Sequence, residues 1–109
     1  MKLSEEEERI LNRFKMRLKE ALNDNLLEVR LFGSKARGDA REDSDIDVLV
    51  IVSSEDWHMS DAVYSIVTDI MLETEICISP KVISQKDYTR LYSDRNPFIE
   101  NVIREGIVL

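Results

Sequence analysis

The stretch FGSKARGDAREDSDIDVLVIV, residues 32–52, decides the fold. Its end, Val48-Leu49-Val50-Ile51-Val52, is an unbroken apolar run of the kind found in a strand covered on both faces. Asp45 and Asp47 lead into that run at alternate positions. Side chains alternate along a strand, so both carboxylates point to one face. Unpaired charge is costly there, and something must compensate it.

Upstream, LLEVRLFGS (26–34) is rich in branched apolar residues and reads as a strand that ends at Gly33. Before it, Ser4 and Glu7 have the spacing of a capping box, and Ile10, Leu11, Phe14, Leu18, Ala21 and Leu22 recur with helical period. An amphipathic helix from Ser4 to about Asn23 follows. Downstream, Ser54 is expected to begin a helix whose Val63, Ile66, Val67, Ile70 and Met71 form one buried stripe. EICISPKVIS (75–84) reads as a third strand. Pro80 cannot donate to a ladder, which places it at a bulge or on the sheet edge, so this strand is expected to border the central strand on one side only. Ser84 with Asp87 caps a short helix holding Tyr88, Leu91 and Tyr92, and Asn96-Pro97 starts a last helix that ends at Gly106. The class is α+β, a small central sheet flanked by helices.

A chain of 109 residues with 43% hydrophobic content has room for one core, so a single domain over residues 1–109 is expected. The formal charge of −7 repels phosphate backbones and anionic lipid. Nucleic acid and membrane partners are therefore disfavoured, and any phosphate site must be local. One cysteine, Cys77, offers no disulfide or cysteine metal cluster, and MKLSEEEERI is neither a signal peptide nor an apolar span. A reduced, cytoplasmic setting is expected.

A strand that stops at Gly33-Ser34 before the helix-compatible Lys35-Ala36-Arg37 presents backbone N–H groups and a hydroxyl, a setting that suits phosphate oxygens. Glycine lets a ligand approach the backbone, and Lys35, Arg37 and Arg41 add local positive charge. Asp45 and Asp47, one pleat repeat apart, are separated by roughly 6 to 7 Å between Cα atoms. Such a pair can converge on magnesium, which commonly takes one or two carboxylates together with substrate phosphates.

The string GSKARGDAREDSDIDVLV matches the pattern G-S-x-A-R-G, a variable loop, then S-D-I-D-L, with Val48 for the usual leucine. In this it resembles the minimal nucleotidyltransferases, small stand-alone members of the DNA polymerase beta nucleotidyltransferase superfamily. ISPKVIS (78–84) and NPFIENVIREG (96–106) are similar to the closing strand and last helix of these proteins, so the likeness covers most of the chain. The resemblance implies a mixed sheet flanked by helices and transfer of a nucleoside monophosphate, AMP from ATP, to a hydroxyl acceptor. It implies that Gly33 and Ser34 hold the triphosphate, with Lys35 and Arg37 beside them, and that Asp45 and Asp47 ligate two magnesium ions. Arg37 would contact a phosphate or brace the aspartates.

Relatives usually carry a third carboxylate on the neighbouring strand. By parity, Glu75 shares a face with Cys77, Ser79 and Lys81, and this polar face should look toward the site. That favours Glu75 as a third catalytic residue, whereas alignment on Ser84 puts Ser79 to Lys81 at that position, where no residue is acidic. His58 beside Trp57 reads as a cap or surface residue, Cys77 as an apolar thiol, and Tyr88, Leu91 and Tyr92 as packing. The resemblance also implies a partner, because small relatives are paired with HEPN-type all-helical proteins in toxin–antitoxin modules, where the transferase modifies a partner tyrosine. The competing function is an inactive binding module, an antitoxin acting by complex formation.

Overall fold

The computed structural model describes residues 3–41, 44–54 and 56–109, so Glu42 and Asp43 of the variable loop lie outside the described residues. The first helix, α1 (Glu5–Leu22), starts from a complete capping box in which the Ser4 hydroxyl accepts from the Glu7 N–H and the Glu7 carboxylate accepts from the Ser4 N–H. Glutamates fill its first turn, at the positive end of the helix dipole. A 3-10 turn, Asn23–Asn25, leads into β1 (Leu26–Phe32), and α2 (Gly33–Arg37) begins at the next residue. The chain continues through β2 (Ile46–Val52), α3 (Trp57–Thr74), β3 (Ile78–Ser84), α4 (Gln85–Ser93), α5 (Pro97–Glu105) and β4 (Ile107–Val108).

These strands form one four-stranded sheet in the order β3-β2-β1-β4. β1 runs antiparallel to both β2 and β4, while β2 and β3 are parallel, their crossover made by α3. The expected mixed sheet flanked by helices is therefore present. β2 is central, and Pro80 lies in the edge strand β3, where a residue without an N–H is tolerated.

Alternation along the strands divides the core in two. On one face Val29, Leu31, Val48 and Val50 pack with Phe14 and Leu18 of α1 and Val63 and Ile70 of α3. Phe14 and Leu18 are fully buried, and each such burial is worth about 1.5–3 kcal/mol relative to exposure. On the other face Leu49 and Ile51 meet Val102 of α5, joined by Phe32, Ile83 and Tyr88. Asp47 shares the parity of Leu49 and is the one residue of β2 that is not buried.

Three boundaries differ from the sequence reading. α3 begins after Asp56, not Ser54, because the Asp56 carboxylate accepts from the His58 N–H at 2.9 Å and forms the cap. The third strand begins at Ile78, not Glu75. Glu75 instead ends α3 in a left-handed conformation, φ 63°, with its N–H donating to the Met71 carbonyl at 2.8 Å. β4 was not expected at all. Two residues carry no readable alternation, and only their pairing with Arg30 and Leu31 makes them a strand.

Candidate active site

Gly33 takes φ 75°, a left-handed value that costs other residues about 1–2 kcal/mol. The β1–β2 register sets the preceding residue, Phe32, opposite Asp47. In consequence the Asp47 carboxylate lies against Gly33. A Cβ at position 33 would collide with one carboxylate oxygen and approach Cγ to 3.2 Å. Conformation and space both demand glycine here. Ser34 follows at the start of α2, and Gly38, at φ 86°, ends that helix with its N–H bonded to the Ser34 carbonyl at 2.9 Å.

Asp47 is half-buried, and Asp45 stands exposed just ahead of β2. Burial pushes the Asp47 carboxyl up, the negative Asp45 pushes it further, and Arg37 pulls it partly back, for a net rise. The next residue, Ile46, anchors the pair by donating its N–H to the Cys77 carbonyl at 3.0 Å. Burial and Asp45 also push the Cys77 thiol up, which keeps it protonated and in line with an inert apolar thiol.

Among the described residues, no group of three or more His, Cys, Asp or Glu side chains converges as a metal site. Asp45 and Asp47 offer two hard carboxylate donors at the start of β2. Such a pair suits magnesium completed by phosphate and water better than a metal that needs a full protein cage.

The parallel register places Ser79 beside Asp47 and Lys81 beside Leu49. A hydroxyl therefore stands next to Asp47 on the adjacent strand, with the exposed Lys81 one pleat repeat further on. Glu75 is exposed at the end of α3 and outside the ladder, so the parity that turned it toward Asp47 does not apply. The register agrees with the alternative alignment through Ser79 to Lys81.

Two basic residues are not free at the loop. Lys35 is buried, its ammonium 2.8 Å from a Glu7 carboxylate oxygen and donating to the Arg41 carbonyl at 3.4 Å, which fastens α2 to α1 and turns Lys35 away from solvent. The ammonium expected beside the triphosphate is directed here at Glu7 and the Arg41 carbonyl. Arg37 is exposed and paired with Asp39 and Glu105, each at 3.2 Å. These hydrogen bonds, to Asp39 first and then Glu105, raise its pKa further. Beside Arg37 and Gly33, a pocket of about 270 Å³ is walled by Phe32 and by Phe98, Asn101, Val102 and Glu105 of α5. Sequence reasoning passed over this wall, although Phe98, Asn101 and Glu105 recur on one helical face.

The family model for polymerase beta nucleotidyltransferases matches residues 16–109. The chain belongs to the polymerase beta nucleotidyltransferase family. This nucleotidyltransferase is similar to three proteins of Methanocaldococcus jannaschii that carry provisional names as protein adenylyltransferases. The first is 35% identical over 103 residues, spanning 94% of this chain and 97% of the relative. The second is 35% identical over 98 residues, spanning 86% of this chain and 65% of the relative. The third is 34% identical over 99 residues, spanning 90% and 93%. Among solved structures, a toxin–antitoxin with AMP-PNP shares the fold of this nucleotidyltransferase with TM-score 0.55 and 18% identity, over 88% of this chain and 69% of that one. A MntA-HpeT toxin–antitoxin mutant with two aspartates changed to glutamate does so with TM-score 0.53 and 15% identity, over 89% and 69%. As an enzyme, the chain is a nucleotidyltransferase, and its curated relatives are of the adenylyltransferase type. No helix among the described residues is long and apolar enough to cross a membrane.

Proposed function

We propose that this nucleotidyltransferase moves AMP from magnesium-bound ATP onto a hydroxyl of a small helical partner of the HEPN type, a tyrosine being the natural acceptor, and so serves as an antitoxin. The observation that carries the reading is the contact of the Asp47 carboxylate with Gly33, which supports a site built from that carboxylate and the turn after β1. The relatives named as adenylyltransferases and the AMP-PNP complex of a fold neighbour support ATP as the donor. The toxin–antitoxin neighbours support a toxin as partner.

In this reading Gly33 and Ser34 bind the triphosphate through backbone N–H groups and the Ser34 hydroxyl, and Asp45 and Asp47 hold magnesium. When bound, magnesium neutralises charge on the phosphates and aligns the reacting oxygens. The half-buried Asp47 is the more rigid ligand, because β2 fixes its backbone on both sides, whereas Asp45 stands where the strand begins. Burial and Asp45 raise the Asp47 pKa, and Arg37 offsets part of that rise in favour of the ionised form. In the transfer, the acceptor oxygen bonds to the α-phosphorus, the bond to the bridging oxygen breaks, and pyrophosphate leaves. The acceptor proton passes to a base. The register sets a hydroxyl, that of Ser79, rather than a carboxylate beside Asp47, and in this reading the partner supplies the base.

The same Ser79 favours a second reading, an antitoxin that acts by complex formation with little turnover. The two readings separate when the chain is incubated with magnesium, ATP labelled at the α-phosphate and a co-purifying helical partner. Label on the partner is expected. A stable complex that takes no label, with magnesium-dependent ATP binding intact, would overturn transfer in favour of the second reading.

A further inference from the structure

We propose that the pocket between α2 and α5 receives the nucleobase of the bound nucleotide, stacked on Phe98 and hydrogen-bonded through the side-chain amide of Asn101. This rests on the nucleotidyl-transfer reading above and names the part of the site that holds the base. The pocket, of about 270 Å³, shares Gly33 with the phosphate turn, and Phe32 in its wall pairs directly with Asp47. A nucleotide whose phosphates lie at Gly33 therefore has this pocket as an adjoining compartment.

The lining chemistry suits a base better than a phosphate. Arg37, its one cation among the described residues, is already matched by Asp39 and by Glu105. Glu105 itself lines the pocket and would repel an anion, and the remaining wall is Phe32, Gly33, Phe98, Val102 and the neutral amide of Asn101. Phe98 meets Phe32 edge to face, with centroids 5.4 Å apart and planes at 87°. It is 38% exposed, which leaves ring surface for a flat π system.

Asn101 is exposed three residues further along α5, and its carbonyl oxygen accepts from Arg104 at 2.6 Å. An arginine can only donate, so it takes the oxygen side of the amide and leaves the NH₂ group to donate to acceptor atoms on a base edge. The platform is held at both ends. Asn96 caps α5 by accepting from the Phe98 and Ile99 N–H groups, and beyond Gly106 the chain is pinned to β1 as β4.

The test compares two ligands in the presence of magnesium by calorimetric titration: ATP, and inorganic tripolyphosphate, which has the phosphates without the base. Phe98→Ala should weaken ATP binding on the order of tenfold or more, the usual scale for loss of a base–aromatic stack, while tripolyphosphate binding stays unchanged. Asn101→Ala should act in the same direction more weakly. Phe98→Trp should keep wild-type affinity for ATP, which a packing role alone would not produce. ATP affinity unaltered in both alanine variants would overturn the proposal, as would an equal loss for both ligands. A wild-type chain that binds neither ligand would remove the nucleotide reading itself, and the base pocket with it.

Discussion

The Asp47 carboxylate and the Cα of Gly33 share one contact surface, and an oxygen of Asp47 occupies the direction in which a side chain at 33 would project. A strand-end carboxylate and a tight turn from a neighbouring strand thereby become a single site. The contact follows from register. Phe32 pairs with Asp47, and the chain turns immediately afterwards, so the turn must cross in front of the carboxylate.

Gly33→Ala tests that contact. The methyl group would collide with Asp47 and would also have to adopt φ 75°, at a conformational cost of about 1–2 kcal/mol. The expected result is a lower melting temperature together with loss of magnesium-dependent ATP binding. A variant that binds ATP like the wild type would separate the turn from the site.

Asp45→Asn and Asp47→Asn should each abolish most magnesium-dependent nucleotide affinity. Removal of even an outer hydrogen-bond partner of a metal ligand costs about 10–100-fold, so loss of a direct ligand should exceed that. Without ligand, Asp47→Asn should melt higher than the wild type at neutral pH, because burial and Asp45 both disfavour the ionised carboxylate. Titration calorimetry and melting curves check the two halves, and unchanged affinity would exclude either residue as a ligand.

Lys35→Met should destabilise the fold by about 1–3 kcal/mol, since it leaves the Glu7 carboxylate, which is 15% exposed, with its Ser4 hydrogen bond but without the ammonium. The folded fraction should still bind ATP, because the ammonium is directed at Glu7 and the Arg41 carbonyl. Denaturant unfolding measures the first effect. A selective loss of ATP affinity at full stability would return Lys35 to the nucleotide site.

The same pair sets an acid limit. Burial pushes the Glu7 carboxyl up, but hydrogen bonds from Lys35 and Ser4 outweigh burial and leave its pKa below the usual glutamate value. A depressed folded pKa stabilises the fold above the unfolded pKa, and that contribution is lost as pH falls through the folded value. The stability gap between wild type and Glu7→Gln should therefore be full near pH 7 and close progressively below about pH 4.5. A gap that stays constant to pH 3 would contradict this.

Glu75→Asn should raise stability by up to about 1 kcal/mol, because asparagine accepts the left-handed φ of 63° at a helix C-terminus more readily than glutamate. AMP transfer should be unchanged. Near-complete loss of transfer with ATP binding intact would instead restore Glu75 as the catalytic carboxylate.

Much of this was legible along the chain. The α1 capping box, the buried run of β2, an edge position compatible with Pro80, the Ser84 cap and the Asn96–Gly106 helix are all local signals, carried by residues within one turn or one strand of each other. So was the approach of the Gly33 turn to Asp47, because the turn and the carboxylate lie on consecutive elements of the chain. The boundary of β3 was less accessible. Glu75 through Cys77 alternate acceptably as a strand, and only the Met71 carbonyl, bonded to the Glu75 N–H, assigns Glu75 to the helix end.

The sequence by itself determined which residues form β2, where its two carboxylates fall and which turn precedes them, since strand alternation and the needs of glycine act over a few bonds. Tertiary structure alone decided what those residues face. It turned Lys35 into a buried partner of Glu7, set Ser79 rather than a carboxylate beside Asp47, and brought Phe98 and Asn101 to the side of Gly33. Register across a sheet and the docking of a helix 60 residues downstream depend on how whole surfaces pack, and that information is not held in any one stretch of the chain.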